Sequence, residues 1–198
     1  MKAMILCAGF GKRLRPITDN CPKPLLKIGE ETLLSNTIKF LKNYGIKEAV
    51  INVHHLSEKI IKYVGENKFD LDITIVNEKE KILDTGGGVL NALKYFKESF
   101  VCINPDTIWN LNYLEELKKM ESSFFSNKEK CHLLVVNKKK SFDKNLFSIF
   151  FNSLIYSKFQ TVSGFIHKKL SLKKWIEFKI PPPVSKIFSF SLTIVISK

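Results

Sequence analysis

Gly9 and Gly11 stand directly after an apolar run in residues 6–25, LCAGFGKRLRPITDNCPKPL, and Lys12, Arg13 and Arg15 add positive charge at the same place. Without Cβ atoms the backbone turns tightly and brings its N–H groups close to an anion. A guanidinium beside it offers the paired hydrogen bonds that suit phosphate oxygens. Pro22 and Pro24 stiffen the chain on either side of Lys23 and fix where its ammonium points, which suits a centre where charge develops during reaction. The spacing is not the dinucleotide fingerprint G-x-G-x-x-G, because Leu14 stands at the third glycine position, and no G-x-x-x-x-G-K-[ST] occurs. A bare G-x-G reads as a strand-to-helix turn with a basic face. With the arginine and the Pro-Lys-Pro beside it, the stretch reads as a phosphate site.

Two further stretches carry chemistry. In LDTGGGVLNAL, residues 83–93, Gly86, Gly87 and Gly88 open a helix after Thr85. Such a helix start binds anions, and equally it is an ordinary helix N-terminus with flexible glycines. In FVCINPDTIWN, Asp106 falls just past a buried strand. Alone it reads as a turn former; at a strand's carboxyl end, facing polyphosphate, it is placed to ligate Mg²⁺. His54 and His55 are adjacent at a strand end and point to opposite sides, which gives them packing and turn roles rather than a shared metal. Trp109, Phe96 and Phe100 belong to core or rim.

The elements that must position these residues alternate between strand and helix as far as about residue 137. AMILCAG, EAVINV, LDITIV, SFVCIN and CHLLVVN read as strands; TLLSNTIKFLKNYG, SEKIIKYVGEN, GGVLNALKYFK and NLNYLEELKKM read as helices. Leu34, Ile38 and Leu41 share one helical face that closes at Gly45, and Ser57 is placed as an N-cap. This order predicts an α/β fold, a Rossmann-like and mostly parallel sheet with helices on both faces, with ligands beyond the carboxyl ends of its strands.

After residue 140 the chain changes character. Residues 141–198 hold nine of the sixteen Phe, a single glycine (Gly164) and no alanine, and Pro181, Pro182 and Pro183 interrupt any regular pattern. The pattern assigns no element there. The expected organisation is a core at 1–140 and an irregular or atypical, truncated or divergent segment at 141–198. The net charge of +13 divides as +6 over residues 1–140 and +7 over the remainder. That tail lacks the interleaved aromatic and basic residues of a recognisable nucleic-acid fold, so nucleic acid is not the expected partner. Cys7, Cys21, Cys102 and Cys131 form no C-x-x-C pair, which fits a reducing cytoplasm. The longest apolar-leaning run, IFSFSLTIVIS, is about half the roughly 20 residues of a membrane span. Nothing fixes the oligomeric state.

Residues 6–25 resemble the signature of sugar-1-phosphate nucleotidyltransferases, L-x-x-G-x-G-x-R-L-x-P-x-T followed by P-K-P-L, through Leu6, Gly9, Gly11, Arg13, Leu14, Pro16, Thr18, Pro22, Lys23, Pro24 and Leu25. The T-G-G-G run at Thr85–Gly88 is similar to that of N-acetylmuramate 1-phosphate uridylyltransferases. The resemblance implies a nucleotide site at Leu6, Ala8, Gly9, Gly11, Lys12, Arg13, Thr85, Gly86 and Gly87, catalytic roles for Arg13 and Lys23, and Mg²⁺ on Asp106. Pro105 stands where the family usually has glycine. The implied reaction joins a nucleoside triphosphate to a sugar 1-phosphate with release of pyrophosphate. UTP follows from Thr85–Gly88, while guanylyl-, thymidylyl- and cytidylyltransferases share the first motif.

The resemblance ends near residue 140. The family's late W-x-D-x-G-T motif is absent, Trp175 is followed by Ile176 and Glu177, and TVSGFIHKKL at 161–170 matches the family only faintly. Two readings stand: a nucleotidyltransferase of nucleotide-sugar and cell-wall biosynthesis, or a catalytically impaired nucleotide-binding remnant lacking the second half of its active site.

Overall fold

Apolar and β-branched runs too short for helices become strands here, and amphipathic helices between them pack over the sheet. The computed structural model describes residues 1–79, 82–126, 131–137 and 188–196. β1 (Lys2–Cys7) runs into the glycine loop, a 3₁₀ turn at Lys12–Leu14, the single-turn helix α1 (Ile17–Asn20) and a second 3₁₀ turn at Lys23–Leu25. A hairpin of β2 (Lys27–Ile28) and β3 (Glu31–Thr32) leads into α2 (Leu33–Tyr44). Then follow β4 (Glu48–Val53), α3 (Ser57–Glu66), β5 (Asp72–Asn77), α4 (Asp84–Ala92), β6 (Phe100–Ile103), α5 (Tyr113–Ser126), β7 (Cys131–Asn137) and β8 (Phe188–Ile196).

α2 shows why these boundaries fall where they do. The Thr32 hydroxyl accepts from the Ser35 N–H at 3.0 Å, and Gly45 ends the helix in the left-handed region at φ 101°. Leu34, Ile38 and Leu41 are buried on one face, as their spacing requires. α3 differs from expectation: Leu56, at φ 50°, precedes it without a side-chain cap, and Ser57 is its first residue. The Ser57 hydroxyl instead accepts from Asn77 Nδ2 at 3.3 Å, a bond across to the end of β5 that sequence spacing does not show. α4 opens at Asp84, two to three residues before the glycines expected to open it, and passes into a 3₁₀ turn at Leu93–Tyr95.

The main sheet has the order β5-β4-β1-β6-β8-β7. β5, β4, β1 and β6 are parallel, with Met4 level with Val50 on one side and Cys102 on the other. β8 is antiparallel to both β6 and β7, so the sheet is mostly parallel, as expected, with one reversed strand. No element was legible there in the sequence, although F-S-F-S-L-T has the two-residue period of a strand. The Pro-rich and Ser-rich surroundings masked it. TVSGFIHKKL and Trp175 lie outside the described residues.

Alternate residues of β1 feed two cores. Ala3, Ile5 and Cys7 join the larger cluster beneath α2, α3 and α5; Met4 joins the smaller one with Val89, Ala92, Phe96 and Phe100 on the α4 side. Phe96 stacks on Phe100 at 4.0 Å and Phe40 on Trp109 at 4.9 Å, which puts all three expected aromatics in the core. From β1 the chain builds outward through β4 to β5, then returns to the other side of β1 as β6. The crevice of such a sheet lies at this reversal, beyond the carboxyl ends of β1 and β6. No helix among the described residues is long and apolar enough to cross a membrane.

Candidate active site

The glycine loop leaves β1 where that reversal demands. Gly9 is exposed, and a Cβ there would meet nothing within 4 Å. Gly11 sits at φ +65°, and a Cβ there would come within 2.9 Å of Thr18 Cγ2. The same Thr18, 1% exposed, donates its hydroxyl to the Gly11 carbonyl at 2.9 Å and so pins the loop to α1. Phe10 anchors the other side: its ring lies 5.5 Å from each of His54 and His55, and His55 Nε2 is 3.3 Å from the Thr18 carbonyl. The two histidines therefore pack and brace the loop. The exposed side chains of Lys12 and Arg13 follow on the cleft side, with Lys12 Nζ 5.2 Å from the Phe10 ring centroid.

Across the cleft stands Asp106, carried just past β6. Pro22 and the buried Pro24 hold the 3₁₀ turn of Lys23, closed by the Leu25 N–H on the Pro22 carbonyl at 2.8 Å. Lys23 Nζ thereby meets Asp106 Oδ2 at 2.5 Å, 83 residues away in sequence. Both side chains are about one-third exposed and reach the cleft. Cys7 also lines it, but burial pushes its thiol well above the usual range and the Asp106 charge adds to this, so it is no thiolate nucleophile.

The opposite rim is built differently. Asn52, 2% exposed, accepts from the Cys7 N–H at 3.1 Å and donates to Glu78 Oε1 at 2.8 Å. Glu78 Oε2 accepts from the Leu83 N–H at 2.8 Å. That bond sits at the start of α4, whose own N-cap residue supplies no side-chain cap, and accounts for the early opening of this helix. Gly88 packs so closely that a Cβ would come within 2.7 Å of Asn52 Nδ2 and 2.8 Å of Glu78 Oε1.

One cleft of about 500 Å³ collects Leu6, Ala8, Gly9, Gly11, Lys12, Arg13, Lys23, Thr85 and Asp106 from the sequence candidates. Gly86 and Gly87 lie further into α4 and are not among its lining residues. The structure adds Phe10, Asn52, Ile82, Asp84 and Asn104. Asn52 had a legible signal, a polar residue inside the apolar strand EAVINV, which buried asparagines share with sites and networks. Among the described residues no group of three or more His, Cys, Asp or Glu side chains could enclose a metal ion.

A family model described as "Nucleotidyl transferase" matches residues 2–146. The chain is 36% identical over 122 residues to D-glycero-alpha-D-manno-heptose 1-phosphate guanylyltransferase of Campylobacter jejuni, covering 62% of this chain and 54% of the relative. It is 36% identical over 115 residues to N-acetylmuramate alpha-1-phosphate uridylyltransferase of Neisseria meningitidis, covering 57% and 50%. The chain thus spans about half the length of these relatives. Among solved structures it is similar to HddC from Yersinia pseudotuberculosis complexed with GMP-PN, with a TM-score of 0.59 and 26% identity over 71% of this chain and 61% of that one. UDP-glucose pyrophosphorylase complexed with UDP-glucose shares the fold, with a TM-score of 0.59 over 71% and 59% at 18% identity.

Proposed function

The chain belongs to the nucleotidyl transferase family, and from that premise we propose that it transfers a nucleotidyl group from a nucleoside triphosphate, UTP, to a sugar 1-phosphate with release of pyrophosphate. The observation that carries this reading is the Lys23–Asp106 pair facing the glycine loop and Arg13 in one cleft. A sugar-phosphate oxygen attacks the α-phosphorus, the bond to the β-phosphate oxygen breaks, and pyrophosphate leaves. The nucleophile already carries negative charge, so no general base is needed. Positioning and charge neutralisation remain for the protein to supply. The amides near Gly9 and Gly11 and the Arg13 guanidinium hold the leaving pyrophosphate, and Lys23 offsets charge at the reacting phosphate.

Asp106 fits a shared Mg²⁺ site. This cation commonly takes one or two carboxylates and completes its shell with substrate phosphates and water, so the single, partly exposed Asp106 carboxylate in a polyphosphate cleft is sufficient. When bound it supplies charge neutralisation at the phosphates. The residues that read the base start at Thr85, and the uridylyltransferase relative supports UTP. The guanylyltransferase relative, at the same identity, supports GTP as the competing nucleotide. Residues 1–140 form the transferase core in a cytoplasmic enzyme, and the segment 141–198 lends the sheet its reversed strand β8.

A second reading is a nucleotide-binding chain without transferase activity; Pro105, which stands beside Asp106 where the family usually has glycine and lines the same cleft, favours it. Thermal shift with the four nucleoside triphosphates, followed by pyrophosphate release with sugar 1-phosphates, separates the two. Stabilisation without release on any sugar phosphate supports the second reading; release supports the first.

A further inference from the structure

Cys7 N–H and Leu83 N–H are both donors, and the two side chains that join them must change the direction of hydrogen bonding once between those ends. The sequence of bonds runs from Cys7 N–H to Asn52 Oδ1, from Asn52 Nδ2 to Glu78 Oε1, and from Leu83 N–H to Glu78 Oε2. Glu78 is the point of inversion, because a carboxylate accepts at both oxygens where an amide accepts at one. Both side chains are buried, at 2% and 8% exposure, so an unmatched donor here has no water to turn to. The bridge spans β1, β4, the end of β5 and the start of α4, and the two ends it ties, Cys7 and the Ile82–Thr85 segment, both line the cleft.

We propose that Asn52 and Glu78 are a positioning pair that holds the start of α4 at a fixed distance from the glycine-loop strand and so sets the nucleotide-binding width of the cleft. The assignment of a nucleotide to that cleft rests on the transferase reading above; the bridge itself does not. Gly88 belongs to the same device, since any side chain there would enter the bridge.

The polarity of the bridge makes a specific rescue available. Glu78→Gln leaves one donor facing another: with its oxygen toward Leu83, its amide faces Asn52, and a flipped Asn52 then faces the Cys7 N–H with its own amide. Asn52→Asp alone sets two carboxylates against each other. Together, the two substitutions restore every pairing, with the inversion moved to position 52.

The test uses the full chain and its three variants, Glu78→Gln, Asn52→Asp and the double substitution, with UTP, GTP, CTP and dTTP as probes and hydrogen exchange at the Cys7 and Leu83 amides. Because the mismatch between positions 52 and 78 pushes the two side chains apart and loosens the bonds at either end, each single variant is expected to weaken binding of the preferred nucleotide by about tenfold, raising its KM more than it lowers kcat, and to speed exchange at both the Cys7 and Leu83 amides. The double variant is expected to regain protection and to bind within about threefold of the wild type. A double variant as weak as either single, or Glu78→Gln binding like wild type with both amides exchanging, overturns the proposal. Should the wild type bind none of the four nucleotides, the transferase reading fails by itself. Loss and recovery of amide protection then still support the bridge, and unchanged protection in Glu78→Gln still refutes it.

Discussion

The two rims of the cleft use glycine for opposite purposes. On the loop rim, Gly9 opens into space, and the charged side chains of Lys12 and Arg13 are exposed beside it. On the α4 rim, Gly88 is packed against buried polar groups, and no space is left for a single methyl. One rim is open and carries exposed positive charge; the other is already full with its own hydrogen bonds. The difference predicts that substitutions on the first rim affect ligands and substitutions on the second affect the fold as well.

The largest effect belongs to the charges that face the open space. Lys23→Ala and Asp106→Ala are each expected to lower kcat for pyrophosphate release by about a hundredfold or more with little change in Tm, because the proposed mechanism assigns them charge at the reacting phosphates. Arg13→Ala is expected to follow them. If either member of the Lys23–Asp106 pair is replaced with activity intact, steady-state kinetics would remove that pair from the chemistry.

Next in size is the full rim. Gly88→Ala places a Cβ inside van der Waals distance of Asn52 and Glu78 and is expected to cost about 1–3 kcal/mol, as overpacked cores do. Scanning calorimetry reads this as a fall of several degrees in Tm, since about 2–4 °C accompanies each kcal/mol in a chain of this size. Gly9→Ala is the counterpart on the open rim: Tm unchanged, nucleotide Kd raised about tenfold by a methyl group where phosphate oxygens approach the backbone. Equal Tm losses for the two alanines would erase the distinction between the rims.

The smallest effect lies away from both. The Lys42 ammonium holds the exposed Asp70 carboxyl below its usual range. A lowered folded-state pKa stabilises above the unfolded value and ceases to do so as pH falls through the folded one. Asp70→Asn is therefore expected to leave activity unchanged and to lower Tm slightly at neutral pH, with the Tm curves of the two proteins converging in acid.

The unequal legibility of the rims has the same physical origin. The loop rim is local: Gly9, Gly11, Arg13 and Lys23 lie within 15 residues of one another, and their spacing alone implied a phosphate site. Thr18 was visible as part of that run, but its bond to the Gly11 carbonyl needed the fold. The alternation of strands and helices was equally local, and the parallel strands follow from it. The α4 rim is not local. Asn52, Glu78 and Leu83 are brought together by strand order, and only the odd asparagine within EAVINV hinted at it. β8 was missed for a related reason: its neighbours β6 and β7 lie far back along the chain, and its own alternation of Phe and Ser was lost in a Phe-rich, Ser-rich segment.

The central claim is that the cleft at the ends of β1 and β6 performs nucleotidyl transfer. It is tested most directly by measuring pyrophosphate release by the full chain with each of the four nucleoside triphosphates and N-acetylmuramate 1-phosphate or other sugar 1-phosphates, in the presence of Mg²⁺. The account predicts release with UTP that depends on the sugar phosphate and disappears in Asp106→Ala. Nucleotide binding with no pyrophosphate released on any sugar phosphate would contradict it.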